Sequence, residues 1–232
     1  MKALPLLLSL VVATTAVADT FVYNVDDRLN GSDPLLNDGW VDPVDQANWI
    51  AGTFSGERYT RNNNGGDNTV TRQNDSDFTF SIPGNATEVS LDLRIRKNGN
   101  FWQAGIVNGS GQLIFGAGGH FNASGLFFIH DVGSRFNAVG TPIGGDALAS
   151  LRVDLDTVAQ TASLFLDDNP ILTNQAVAVP NFADGAGLLM RSNSQFVGVA
   201  SYTITTTAVP EPHSLALVGA GFIGLLMLRR RR

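Results

Sequence analysis

Hydrophobic and polar residues alternate along most of this chain with a period of two. The clearest stretch is Glu88 to Lys97: Val89, Leu91, Leu93 and Ile95 fall on one side, Ser90, Asp92, Arg94 and Arg96 on the other. That pattern predicts a strand with one face in a core and one in water. The same alternation recurs at Phe21, Tyr23 and Val25, at Phe78, Phe80 and Ile82, at Leu151, Val153 and Leu155, and at Ala162, Leu164 and Leu166. Segments 50–59, 101–107, 112–115, 126–131, 187–191 and 196–206 add further short strands. Asn108-Gly109-Ser110-Gly111 predicts a hairpin turn, since Asn and Gly tolerate the backbone conformations such turns need. Thr205-Thr206-Thr207 reads as a connector. No body segment keeps a helical period, and no repeat of fixed length occurs. Roughly ten short strands with turns every 8–12 residues predict an all-β, antiparallel β-sandwich.

The two ends break the pattern. Lys2, the apolar run Leu4–Val12 and the small-x-small site Ala16-Val17-Ala18 have the order of a cleavable secretory signal, residues 1–18, with Asp19 as the first mature residue. At the other end Pro210-Glu211-Pro212 precedes an uncharged run, Leu215 to Leu228, closed by Arg229, Arg230, Arg231 and Arg232. The prolines forbid helix and keep the preceding residues extended. As a helix the run is about 21 Å long, short of the ~30 Å hydrocarbon core. It is apolar all round, and its arginines can reach back to the headgroups and mark the cytoplasmic side. The expectation is a C-terminal hydrophobic helix across the membrane over 215–228, a basic cytoplasmic end over 229–232, a linker over 206–214 and one sandwich domain over 19–205. The competing assignment of the run is a buried core helix.

This tail resembles a PEP-CTERM sorting signal: a Pro-Glu-Pro tripeptide, a short glycine-rich apolar helix and terminal arginines, in that order at the extreme end. The resemblance covers residues 209–232. It implies a Gram-negative bacterium that makes exopolysaccharide. It also implies export through Sec-type machinery, transient anchoring in the inner membrane, cleavage near Pro210–Pro212 by a membrane-embedded exosortase, and release to the cell surface or biofilm matrix.

Composition narrows the rest. There are no cysteines, which excludes disulfides, thiol chemistry and thiolate metal sites. The chain has 15 basic and 21 acidic residues; without Lys2, the terminal arginines and Glu211 the body stands near −10. Such a surface repels nucleic acid and anionic membrane. It suits divalent cations, so Asp26 and Asp27, in the acidic turn-rich segment 26–45, are candidate calcium ligands, although that segment lacks EF-hand spacing. No other cofactor is expected.

Sugars dock on aromatic faces flanked by polar groups. Trp40, Trp49, Tyr59 and Trp102 are therefore the candidate carbohydrate-binding residues, with core packing the competing role of each tryptophan. Segment 150–171, a strand, a turn, a strand and then Asp167-Asp168-Asn169-Pro170, resembles the strand pair of concanavalin A-like and laminin-G-like jelly rolls. It carries Asp168-Asn169 where those domains commonly have Asp-Gly. A jelly-roll-like sandwich that binds extracellular polysaccharide without catalysis is the favoured expectation. Two alternatives stand beside it: a polysaccharide-active glycoside hydrolase of the jelly-roll type and a purely structural surface protein. Hydrolysis needs two carboxylates about 5–9.5 Å apart, and the body has only two glutamates, Glu57 and Glu88. His120 and His130 lack the partners of a serine or metal enzyme, and His130 and Asp131 point to opposite faces of their strand. Five Asn-x-Ser/Thr sequons, at Asn30, Asn74, Asn85, Asn108 and Asn122, mark candidate surface loops.

Overall fold

The computed structural model describes residues 16–25, 38–41, 49–62, 67–75, 78–97, 101–120, 125–138, 147–193 and 198–209. Among them fifteen strands follow in chain order. They are β1 (Val17–Asn24), β2 (Trp40–Val41), β3 (Trp49–Phe54), β4 (Glu57–Asn62), β5 (Asn68–Gln73), β6 (Ala86–Lys97), β7 (Trp102–Asn108) and β8 (Leu113–His120). The remainder are β9 (Gly125–Asp131), β10 (Ser134–Ala138), β11 (Ala147–Asp156), β12 (Thr161–Leu166), β13 (Asn169–Ala176), β14 (Gly185–Ser192) and β15 (Gly198–Ala208).

The period-two pattern decides the layers. One antiparallel sheet runs β1-β15-β6-β11-β12-β13 and a second runs β10-β9-β8-β7-β14-β5-β2. From the first, Val89, Leu91, Leu93 and Ile95 of β6, Leu151, Val153 and Leu155 of β11, and Tyr202 and Ile204 of β15 point inward and are buried. Trp102, Ala104, Ile106, Phe115, Leu126, Phe128, Leu188 and Met190 answer them from the second sheet in the same apolar cluster. Two sheets sharing one core in this way make an all-β sandwich. β3 and β4 form a separate two-stranded ribbon. It is tied to the sandwich by Val199 N–H donating to Thr60 Oγ1 (3.0 Å) and Asn62 Nδ2 donating to the Ser192 carbonyl (2.9 Å).

Several expectations change on contact with the structure. Phe78, Phe80 and Ile82 alternate as read and are buried, yet 78–82 is not a ladder strand. Its backbone bonds to the side chains of the preceding loop instead. Asn74 Oδ1 accepts from Phe80 N–H (3.0 Å), Asn74 Nδ2 donates to the Phe80 carbonyl (2.8 Å), and Asp75 Oδ1 accepts from Phe78 N–H (2.9 Å). A side-chain amide thus stands where a neighbouring strand would be. The threonine run 205–207 is not a connector: β15 continues through Ala208, paired with β1 on one side and β6 on the other. β1 starts at Val17, with Val17 opposite Ala208 and Ala18 opposite Thr207.

The Asp167-Asp168 turn has positive φ at both residues (48° and 62°), the geometry of a tight hairpin turn. It leads into β13, an edge strand, the position in a sheet where a proline is tolerated. The sequon amides at Asn74, Asn85 and Asn108 all serve local structure. Asn85 Nδ2 donates to the Val209 carbonyl at 2.6 Å and so holds the last described residue.

No helix among the described residues is long and apolar enough to cross a membrane. Residues 1–15, Asp26, Asp27 and 210–232 lie outside the described residues, and with them the candidate calcium ligands, Pro210-Glu211-Pro212, the hydrophobic run and the terminal arginines. Ala16, Ala18 and Asp19 are described, and all three are exposed.

Candidate functional site

The outer face of the six-stranded sheet is a grid of short polar side chains. Register fixes its rows. Thr207, Glu88, Asp156 and Thr161 lie side by side, and so do Thr205, Ser90, Asp154 and Ser163. At the β11–β12–β13 end these rows form a groove of about 400 Å³ lined by Glu88, Asp154, Asp156, Thr161, Ser163 and Asn174. The groove owes its shape to β13. Register slips between β12 and β13 around Leu164, and Asn174 takes a positive φ of 51°. Its N–H then donates to Ser163 Oγ (3.0 Å). Such bulges bend an edge strand and re-aim its side chains.

The groove is polar in a particular way. Asp154 is held from both sides, by Ser90 Oγ on Oδ1 (2.6 Å) and Arg152 Nε on Oδ2 (3.2 Å). Asp156 uses Oδ1 to accept Val158 N–H (2.9 Å) and Ala159 N–H (2.7 Å), which closes the β11–β12 turn. Glu88 faces Asp156 directly across β6 and β11 and is exposed. Opposed residues of an antiparallel pair have Cβ atoms about 4.5–5.5 Å apart, and like charges there repel. Glu88→Gln is therefore expected to raise stability by about 0.2–1 kcal/mol, with the gain shrinking in high salt; urea titrations at low and high ionic strength check it. Among the described residues no group of three or more His, Cys, Asp or Glu is arranged to hold a metal ion.

The aromatic residues expected to bind sugar are elsewhere. Trp40, Trp49, Tyr59 and Trp102 are 2, 0, 1 and 1 % exposed. Trp40 Nε1 donates to Tyr23 Oη (2.7 Å), which in turn donates to Asp38 Oδ2 (2.5 Å), and the Trp40 ring packs against Tyr23 and Tyr202. Tyr59 Oη accepts from Arg96. Trp49 and Trp102 belong to the central apolar cluster. None of the four offers a ring face to a ligand. They are core residues, because a side chain this large removes more apolar surface from water inside than at the rim.

The two body glutamates, the acids a hydrolase would need, do not converge. Glu57 makes a twofold contact with Arg94 (3.1 and 2.9 Å). Hydrogen bonds from that guanidinium hold its carboxyl below the usual carboxylate range, against an opposing effect of burial. Glu88 lies at the far end of β6, about 20 Å along the strand from Arg94 at ~3.3 Å per residue. His130 sits between Phe128 and Phe136 (ring centroids 6.1 and 5.4 Å), its buried Nδ1 has no hydrogen-bond partner among the described residues, and Asp131 accepts from the neighbouring Val132 N–H. Neither forms a catalytic set. The groove residues Asp154, Asp156, Thr161, Ser163 and Asn174 were not singled out from sequence. Their outward alternation was visible there, but the β13 bulge that gathers them has no sequence signature.

The sorting tail begins where β15 ends. Residues 208–232 match the PEP-CTERM protein-sorting motif. The chain carries a PEP-CTERM signal. That signal implies a secreted surface protein processed by an exosortase. No relative was found among curated proteins. Solved structures similar to the body share little sequence with it. The alginate lyase Aly36B is 11 % identical, with 83 % of this chain and 98 % of that one aligned at a TM-score of 0.46. The carbohydrate-binding module CBM66 from Bacillus subtilis is 14 % identical, over 74 % and 92 %, at 0.43. Galectin LEC-6 of Caenorhabditis elegans is 12 % identical, over 57 % and 92 %, at 0.39.

Proposed function

We propose that this PEP-CTERM protein is a non-enzymatic surface or biofilm-matrix component of a Gram-negative bacterium, and that its groove binds an extracellular polysaccharide. In this reading the signal segment 1–18 directs export, the hydrophobic run anchors the chain in the inner membrane, and Pro210-Glu211-Pro212 is the segment the processing enzyme reads. The observation that carries the binding role is the groove on the outer sheet face. Carboxylate oxygens of Glu88 and Asp156, hydroxyls of Thr161 and Ser163 and the amide of Asn174 converge in a volume that takes one or two sugar rings. Carboxylates accept from vicinal hydroxyls, and hydroxyls and amides both donate and accept, which is the chemistry sugar recognition uses.

The test is a glycan array on the exported protein. Binding to one class of polysaccharide, lost in Asp156→Asn and Ser163→Ala but kept in Glu57→Gln, is the expected result. An array silent for every glycan would sink the binding role and favour a structural surface protein. A second reading, hydrolysis, has one observation in its favour: Glu88 and Asp156 are cross-strand neighbours that line the same groove, and hydrolysis uses a pair of carboxylates. Release of reducing sugar, abolished by Glu88→Gln, would select it.

A further inference from the structure

The end of the sandwich from which the tail leaves has a surface unlike the rest of the body. Val209 is fixed there by Asn85, and Ala208 pairs with Ala86. The β11–β12 turn is bound to the same spot, through Thr157 N–H to the Thr87 carbonyl (3.0 Å) and Thr157 Oγ1 to the Ala86 carbonyl (2.7 Å). A groove of about 390 Å³ joins both turns to Val179, Pro180 and Phe182. Segments 83–85, 157–160 and 177–183 contain no charged residue, and the acids that flank them in the chain are Glu88, Asp156, whose carboxylate caps the β11–β12 turn, and Asp184. Val158, at the tip of its turn, is 75 % exposed, and Val209 is 45 % exposed.

The tail sets how far this surface can stand from lipid. Five residues, Pro210 to Ser214, separate Val209 from the apolar run. Fully extended, the step from Val209 to Leu215 spans at most ~22 Å, and two prolines stiffen it. Headgroups occupy about 5–7 Å of that distance. A folded end held this close and tipped with exposed valine meets the interface itself. Given the reading of the tail as a membrane anchor, on which this rests, we infer that the tail-exit end of the sandwich lies on the lipid headgroup layer until the chain is processed, with Val158 in contact with lipid. The acidic groove beside it then opens sideways along the membrane plane.

The absence of cysteine makes single-site labelling clean. Full-length chains carrying Val158→Cys, Val22→Cys or Ala220→Cys are labelled with an environment-sensitive fluorophore and reconstituted in phosphatidylcholine vesicles that contain headgroup-proximal quencher lipids. Val22, exposed on the outer face of β1, is about 17 Å along the strand from Val17 and serves as the distant site. The expected result is blue-shifted, quenched emission at Val158 and Ala220 and unquenched emission at Val22. Adding Val158→Glu to an Ala159→Cys chain should abolish quenching at that turn. A quenched Ala220 with Val158 behaving like Val22 would overturn the inference and leave the anchor intact. An unquenched Ala220 would remove the anchor and the inference together. A blue shift at Val158 that grows with protein-to-lipid ratio would assign the surface to a second copy of the chain and also overturn it.

Discussion

Trp102→Ala should cost the sandwich about 3–5 kcal/mol, the range for deleting a large buried aromatic. Trp102 is 1 % exposed, at the start of β7, opposite Gly119 on one side and Ser192 on the other. Its ring fills space between the two sheets, and truncation leaves a cavity that flanking strands cannot close without breaking register. The measurement is a urea titration followed by the remaining tryptophan fluorescence. A large fall in midpoint, with ligand binding unchanged in the fraction that stays folded, is expected. An unchanged midpoint with binding lost would restore Trp102 as a sugar platform and contradict the core assignment.

Gly198→Ala should be nearly as severe for a different reason. A Cβ at this position would lie 1.6 Å from the Thr60 carbonyl oxygen and 2.6 Å from Tyr59 Cδ2. The obstacle is backbone, so no rotamer change relieves it. The β3–β4 ribbon must be pushed away, losing the bond from Val199 N–H to Thr60 Oγ1. Overpacking of this kind costs about 1–3 kcal/mol, and more where the backbone must move. Gly84→Ala is the control: nothing lies within 4 Å of its Cβ, and it should shift stability by less than about 0.5 kcal/mol. Thermal melts rank the two. Hydrogen exchange should show the loss of protection concentrated at Tyr59–Asn62. Equal effects from both substitutions would mean that the ribbon is not packed as described.

These variants mark where sequence was informative. Val89, Leu91, Leu93 and Ile95 proclaim their strand because a half-buried strand leaves a strict alternation and nothing else explains one. The β7–β8 turn was equally plain, and Asn108 Oδ1 does accept from Ser110 and Gln112 N–H groups, as such turns require. The same alternation at Phe78, Phe80 and Ile82 reported burial correctly and pairing wrongly, since periodicity registers which side is dry and not which atoms accept the backbone bonds. For the tryptophans the choice between rim and core depends on neighbours distant in sequence, such as Tyr202 beside Trp40. The groove was hidden for a related reason. Each of its strands was visible, but their convergence depends on register and on one bulge. The sorting motif needed no such folding information, because it is a linear pattern within residues 208–232.

One consequence lies in the position of β15. It is the last strand of the body, yet it lies inside its sheet, between β1 and β6, with Thr20 and Thr205 in contact from 185 residues apart in the chain. In a chain exported from its amino end, as proposed above, β1 and β6 arrive first and β15 last. Until the final residues of the body have crossed, both strands present unpaired edges, and pairing over so great a separation is slow. Completion of the fold is therefore timed by the arrival of the tail. The sorting motif starts on the last residue of the strand that finishes building the fold.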